Sequence, residues 1–257
     1  MIDRFLAHLN IPSACLLDKP VYKKMFLDHM ELDMTDKKAL SEDVERIRWQ
    51  YALKPETINI APFQDGEREY LEVAILTVEL TEPARIKRIA NFMHKAIPYP
   101  LIVIFGHGGK VAVSVAEKRI NQADKSKLVV VDSWLTEWID SAKPSKTQAG
   151  FIEAVKLQKL PSTNFYALYE AFQGQVVGLN TAARTGVFEA VPVEVAHERV
   201  GILRKIDALD REVAEFRSTL KREKQMSRKI VLNSEIRSRK DAILAFENQL
   251  KLPNNNQ

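Results

Sequence analysis

The sequence has little of what commits a chain to a membrane, a disulfide scaffold or export. Its 257 residues include one cysteine, Cys15, so no internal disulfide can form, which fits a reducing cytoplasm. No apolar run approaches the roughly 20 residues that a membrane helix needs, and the longest, at 101–105 and 128–131, have the length of strands. The first ten residues carry too short an apolar stretch for a signal peptide and have no small-residue cleavage site. We therefore expect a soluble cytoplasmic protein with no membrane segment.

Residues with the spacing of a metal or cofactor site are also lacking. No two histidines have metal-ligand spacing, and Cys15 has no partner cysteine. The five histidines are His8, His29, His94, His107 and His197. Glycines at 106, 108 and 109 precede Lys110, but a phosphate-binding loop needs a longer glycine-framed segment that opens into a helix. We predict a β-turn there, and no metal, cofactor or catalytic residue.

A metal-dependent nuclease is nevertheless one alternative, because such an enzyme needs acidic ligands around a pair of strands. Glu72, Glu79 and Glu117 lie at or near predicted strands, and Lys118 follows the last of them. Glu117 and Lys118 are adjacent, which departs from the Glu-X-Lys tripeptide of the common restriction-type nuclease core. Charge that faces solvent at strand edges is the simpler interpretation.

The middle of the chain predicts a sheet, and the beginning predicts helices. Residues 1–54 are predicted to be helical, with Thr35 as an N-cap and Leu40, Val44 and Ile47 at helical spacing. Strands are expected at 57–60, 70–80, 101–105, 111–115 and 128–131, with a helix that begins near Pro83. This order predicts an α+β fold with N-terminal helices and a mixed or largely antiparallel sheet that contains a crossover helix.

The segment 141–147 is the best candidate for a linker. Two helical runs follow it, at 150–160 and 162–179, and Ser162 or Thr163 can cap the second. We therefore expect an α+β domain at 1–140, a linker and helical segment at 141–190, and a basic coiled coil or helical hairpin at 191–257.

The last segment carries the clearest periodicity, two apolar seams whose members are spaced alternately by four and three residues. The first seam is Ile202, Ile206, Leu209, Val213, Phe216 and Leu220, and the second is Leu232, Ile236, Arg239, Ile243, Phe246 and Leu250, with Arg239 the one polar member. The second seam is out of phase with the first by two positions, which predicts a break within 224–229. A helical hairpin with a basic tip is expected, and a long helix with a phase shift is the alternative. Whether the seams pair within one chain or between chains is left open.

The positive charge is concentrated near that break. The whole chain has a formal net charge of +4, whereas residues 217–240 hold nine basic and two acidic residues, a net of +7. Such a stretch neutralises phosphates or forms a solvated helix face, and we weigh the two about evenly. The candidate contacts to nucleic acid or to a partner protein are Lys118, Arg119, Lys221, Arg222, Lys224, Arg228 and Lys229. No helix-turn-helix, zinc-finger or RNA-binding motif accompanies them.

The chain resembles the bacterial family called domain of unknown function 4391. The stretches that carry the resemblance lie at 44–60, 97–104, 113–121 and 223–236, and none is a catalytic signature. The resemblance implies no catalytic residues. It implies a place beside the helicases and DNA methyltransferases of restriction-like phage-defence systems, which is an association and not a mechanism.

Three hypotheses for function follow. The first is a non-enzymatic accessory or adaptor subunit of a phage-defence or DNA-processing complex, which binds a helicase or methyltransferase and contacts DNA through its basic helices. The second is a homo-oligomer that self-associates through the seams and has no role with nucleic acid. The third is the divergent nuclease, which predicts metal-dependent DNA cleavage that is lost on changing Glu72, Glu79 or Glu117.

Overall fold

The computed structural model describes residues 1–124, 127–190 and 193–251. The strands are β1 (Leu16–Pro20), β2 (Val44–Leu53), β3 (Phe63–Gln64), β4 (Glu69–Tyr70), β5 (Val73–Leu80), β6 (Leu101–His107), β7 (Lys110–Ile120) and β8 (Leu128–Leu135). The helices are α1 (Ile2–Leu9), α2 (Lys23–His29), α3 (Met34–Lys38), α4 (Pro55–Ile58), α5 (Ile86–Ala96), α6 (Lys146–Ala154), α7 (Phe165–Thr185), α8 (Val193–Arg222) and α9 (Met226–Lys251).

Six strands form one mixed sheet in the order β1-β2-β5-β6-β7-β8. Strands β5 and β6 are parallel, and every other neighbouring pair in this sheet is antiparallel. Helix α5 connects the parallel pair, because a parallel connection needs a crossover, whereas β6 and β7 are joined by a tight turn. Strands β3 and β4 form a separate short hairpin. The predicted α+β class with a crossover helix is confirmed.

Each face of the sheet is covered by helices, so its central strands are buried on both sides. On one face Phe5 of α1, Phe151 of α6 and Tyr169 of α7 pack with Ile75 and Ile104. On the other face, residues of α5 and of the segment that follows α3 pack with the opposite side chains of the same strands. This double burial explains why β5 and β6 read as nearly continuous apolar runs instead of alternating.

Within the range predicted to be helical, residues 16–20 and 44–53 form strands. The short helix α3 is followed by a π-helical turn at Ala39–Asp43, and β2 begins at Val44. Asp33, not Thr35, caps α3, since its carboxylate accepts the N–H of Asp36 at 2.7 Å. Spacing by three or four residues places apolar side chains on one helix face, but the ladder that β2 forms with β5 overrides this local preference.

The predicted strand at 57–60 is also wrong, because these residues belong partly to α4. Pro55 occupies the first turn of this helix, where its missing N–H costs nothing. The hydroxyl of Thr57 accepts the N–H of Lys54 at 2.9 Å and so satisfies a backbone donor at the helix start. The left-handed conformation of Asn59, with φ of 54°, ends the helix.

Helices α8 and α9 pack together as an antiparallel hairpin. Arg239 of α9 meets Glu212 of α8 with an Nε–Oε2 distance of 2.8 Å, and Lys205 lies over the ring of Phe246, 5.4 Å from its centroid. Along α8, Lys205 comes before Glu212, whereas along α9 the partner of Lys205 comes after the partner of Glu212. This reversed order is that of an antiparallel pair. The hairpin prediction is confirmed, and the break lies at 223–225, at the start of the predicted interval.

Candidate nucleic-acid and partner interface

The two predicted seams face each other inside the hairpin. Ile206, Val213, Ile236 and Leu250 are buried, and the side chain of Ile206 has no exposed surface. The remaining apolar seam residues are half-buried. The seams therefore pair within one chain, and this packing holds the tip at the end of two helices.

The turn at the tip is organised by Glu223. Its carboxylate accepts the backbone N–H groups of Lys224 at 2.7 Å and Gln225 at 2.8 Å. These hydrogen bonds hold the pKa of Glu223 below its usual range, the bond from Gln225 having the largest effect. Helix α9 then begins at Met226, so the turn is short and its conformation is fixed by the side chain of its first residue.

Four basic residues at the tip, Lys221, Arg222, Lys224 and Lys229, make no ion pair with any residue that the structure describes. A fifth, Arg228, has a loose contact of 3.9 Å with Glu223. These side chains are exposed, apart from the half-buried Lys229. A cation without a carboxylate partner keeps its full attraction for an external phosphate or carboxylate.

Two apolar side chains lie among these cations. Met226 is 72% exposed and Ile230 is 62% exposed, one helical turn apart on α9. Neither belongs to the predicted seams or to the predicted contact residues. They are four residues apart and lie outside the seam positions. This spacing was the signal in the sequence for a second apolar stripe that faces outward.

Lys118 lies in the core, away from the tip. It is 2% exposed, and its ammonium donates hydrogen bonds to the carbonyl oxygens of Ile97 and of Tyr99, the latter at 2.6 Å. Burial lowers the pKa of Lys118 to about 7. Strand β7 continues to Ile120, past the point where the strand was expected to leave the sheet, and it carries Lys118 into the interior. This corrects the placement of Lys118 at a surface, and we leave it out of the interface.

Arg119 is accessible but already has partners. Its guanidinium lies 3.0 Å from Glu117 and 3.5 Å from Glu67. An incoming phosphate would have to compete with both carboxylates. Its contribution to a charged interface is therefore small compared with that of the unpaired residues at the tip.

The acidic residues of the nuclease alternative are each paired with a different basic residue. Glu72 contacts Lys54 at 3.5 Å, Glu79 contacts Arg46 at 2.7 Å, and Glu117 contacts Arg119. Across the described ranges there is no group of three or more histidine, cysteine, aspartate or glutamate residues that could hold a metal ion.

The glycine segment forms the predicted turn between β6 and β7. Gly108 and Gly109 have φ values of 53° and 87°, a left-handed conformation that glycine adopts without strain. Among the described residues there is no helix that is both long enough and apolar enough to cross a membrane.

Comparison with known proteins gives one match. A search of curated proteins and a search of solved structures each return no match. The family model described as "Domain of unknown function (DUF4391)" matches residues 9–243, a span that includes the whole sheet, the tip and most of both hairpin helices. The chain therefore belongs to this family.

Proposed function

We propose that this protein is an accessory subunit of a DNA-processing complex, and that the tip of its α8–α9 hairpin contacts the phosphate backbone of DNA. The observation that carries the proposal is the group of five cations at 221–229, at the end of an arm with a packed interior. Among the described residues, only the side chain of Arg228 in this group contacts a carboxylate. The surrounding sequence supplies few acids to neutralise them. Backbone contacts of this kind position a protein on DNA without reading its sequence.

The arm has the reach that such a contact requires. Arg184 of α7 forms ion pairs with Asp207 and Asp210 of α8, the second at an Nη2–Oδ2 distance of 2.7 Å, so α8 contacts the body as far as Asp210. Residues 211–222 pack against α9 beyond that point, and they rise about 18 Å at 1.5 Å per residue. The tip can therefore approach a duplex while the body is bound elsewhere.

The body offers a separate surface to a protein partner. Three large apolar side chains are exposed on this surface: Tyr22 just before α2, Met25 in α2 and Met34 in α3. Exposed apolar side chains of this size are common where proteins dock on one another. We propose that the body docks on a helicase or DNA methyltransferase, the partners that the family resemblance implies.

The DNA contact is tested by the salt dependence of binding. Changing Lys221, Lys224 and Lys229 together to Gln removes up to three phosphate contacts. The slope of log K against log salt should therefore fall by roughly 2 to 3, since each contact contributes about 0.9. Fluorescence anisotropy with a labelled duplex at several salt concentrations measures this slope.

A matched control changes three exposed lysines of the body, Lys19, Lys24 and Lys95, to Gln. Its net charge equals that of the tip variant, so a general charge effect would lower both slopes alike. An equal loss in the two variants, or an unchanged slope in the tip variant, would contradict contact at the tip.

The partner is tested by affinity purification of the protein expressed from its native locus, with and without nuclease treatment. A helicase or methyltransferase that is recovered after nuclease treatment supports a direct protein contact. Recovery of the bait alone under both conditions would contradict the accessory role.

A further inference from the structure

The outer edge of strand β8 carries backbone groups that face no other strand. Strand β8 lies at one end of the six-stranded sheet, and in an antiparallel pair the backbone groups of successive residues point alternately toward the neighbouring strand and away from it. The N–H of Asn121 donates to the carbonyl oxygen of Lys127 at 2.8 Å, so Lys127 faces β7. The N–H and C=O groups of Leu128 and Val130 therefore point to the free edge.

The protein itself satisfies the outward groups in the second half of β8. A bulge shifts the register between the two halves, so that Ser133 and Leu135 face outward there. The amide of Asn180 on α7 donates to the carbonyl oxygen of Leu135 at 3.2 Å, and the carboxylate of Asp132 accepts the N–H of Ser133 at 2.8 Å. Within the described ranges, no side chain makes such a bond with the outward groups of 128–131.

The side chains at this edge are aliphatic. Residues 128–131 are Leu-Val-Val-Val, and Val129 and Val131 are 40% and 52% exposed. Edge strands of soluble proteins commonly carry a proline or a charge that prevents another strand from adding, and this run has neither. Unpaired backbone groups beside exposed aliphatic side chains form a template on which an extended strand can pair.

The opposite edge of the sheet, strand β1, does not offer such a template. Strand β1 ends at Pro20, which has no N–H to donate. Asp18 has a left-handed φ of 47°, and the register with β2 shifts between Leu16 and Lys19, so the strand is not extended throughout. An uninterrupted edge that can pair with β8 is therefore β8 of a second copy, whose outward groups and aliphatic side chains are the same.

We propose that two copies of this chain pair through the first half of β8, antiparallel about a two-fold axis at Val129. In this register the outward groups of Leu128 in one copy meet those of Val130 in the other, and the two residues exchange hydrogen bonds. Val129 faces its own counterpart, and Lys127 faces Val131, so no two like charges meet. The two-fold axis makes the interface self-complementary, and the pairing closes as a dimer that leaves neither template free. This inference does not depend on the function proposed for the hairpin.

Sedimentation velocity of the full chain, treated with nuclease and measured over a wide range of concentrations, tests the pairing. We expect a reversible dimer of the wild type. Val129→Lys and Val129→Glu each place like charges opposite each other at the axis, so each should raise the dissociation constant by about tenfold or more. An equimolar mixture of the two variants places opposite charges there and should restore the dimer. The matched pair Val187→Lys and Val187→Glu, at an exposed position outside the sheet, should dimerise like the wild type, alone and mixed.

Hydrogen exchange of individual amides, followed by nuclear magnetic resonance, separates loss of the dimer from loss of the fold. The N–H groups of Leu128 and Val130 should exchange slowly in the wild-type dimer and fast in Val129→Lys, whereas the N–H of position 129, which faces β7, should stay protected in both. The proposal is overturned if the wild type stays monomeric at every concentration, if either charged variant at 129 dimerises like the wild type, or if their mixture stays monomeric. A dimer in which the amides of Leu128 and Val130 exchange fast would show association through another surface and would likewise overturn it.

Discussion

Two buried ionisable side chains, Lys118 and His94, link α5 to the sheet. Lys118 places its ammonium on the carbonyl oxygens of Ile97 and Tyr99, just after α5, where a helix leaves carbonyls without partners. Nε2 of His94 lies 2.9 Å from the hydroxyl of Ser114, which donates to the carbonyl of Trp134. Since that hydroxyl gives its proton to Trp134, it accepts from His94, whose Nε2 is therefore protonated.

Burial of His94 makes the stability of the fold depend on pH. Desolvation, together with the nearby charge of Lys118, lowers the pKa of His94 to about 3 from its ordinary value of 6.5. Below pH 6.5 the unfolded chain takes up a proton that the folded chain refuses until about pH 3. The free energy of unfolding should therefore decrease as the pH is lowered from 6.5 toward 3, by up to about 1.4 kcal/mol per pH unit.

Urea unfolding of the wild type and of His94→Gln at pH 7, 6, 5 and 4 measures this effect. The stability of the wild type relative to the variant should decrease steadily toward pH 4. His197→Gln, at an exposed position, controls for the loss of a histidine elsewhere. Parallel curves for the wild type and His94→Gln would contradict the buried, neutral imidazole.

At the scale of elements, the hairpin explains the one polar member of the seams. Arg239 pairs with Glu212 across the hairpin and with Glu235 one turn earlier on its own helix. Its guanidinium also lies over the ring of Phe216, 5.8 Å from the centroid. An arginine fits this position because its stem packs against apolar neighbours while its planar head keeps charged partners at the edge.

The packing of the hairpin is tested by a charge in its interior. Val213 is buried between the helices, so Val213→Asp should lower the free energy of unfolding of the arm by about 2 to 4 kcal/mol, because an unpaired carboxylate would be desolvated. Ala214→Asp, at the next and exposed position, has the same new charge and should leave the arm intact. Thermal unfolding followed by circular dichroism at 222 nm compares the two, and equal melting curves would refute the seam.

At the scale of the whole molecule, α6 and α7 belong to the same core as the sheet. Phe151, Phe165 and Phe172 are buried in one cluster with residues of β5, β6 and β7. The hydroxyl of Tyr169 on α7 accepts the N–H of Ala116 at 3.1 Å and donates toward the carbonyl of Leu101 at 2.8 Å. Helix α7 therefore satisfies backbone groups of two strands in addition to covering them.

This arrangement bears on the domain boundaries expected at 140 and 190. A fragment of residues 1–140 lacks α6 and α7, so it should not fold cooperatively, because one face of its sheet would lose most of its apolar cover. A fragment of residues 1–190 keeps both helices and should fold without the hairpin. Near-ultraviolet circular dichroism and thermal melting distinguish the two fragments, and a sharp melting transition of 1–140 would show that the first boundary is a true domain boundary.

The spacing of apolar residues in the sequence predicts those parts of the fold that depend on residues close together in the chain. The alternating spacing from Ile202 to Leu250 predicted the hairpin, since apolar residues three and four apart share a helix face whatever surrounds them. The same kind of spacing misled at Val44 and Ile47, where pairing with β5 decided the structure. A cap was missed too, since Asn164 and not Ser162 or Thr163 accepts the N–H of Ala167 at the start of α7.

The candidate sites divide in the same way. The cations at 221–229 were visible in the sequence because consecutive charges at a helix break are exposed in any packing of that hairpin. Other features were not visible, because strand register and the packing of helices on the sheet bring together side chains that are far apart in the sequence. Lys118 was misplaced for a related reason, since a lysine is usually exposed and only the extension of β7 buried it. Composition and periodicity thus determined the fold class and the basic hairpin, whereas long-range strand pairing decided which polar groups share a site.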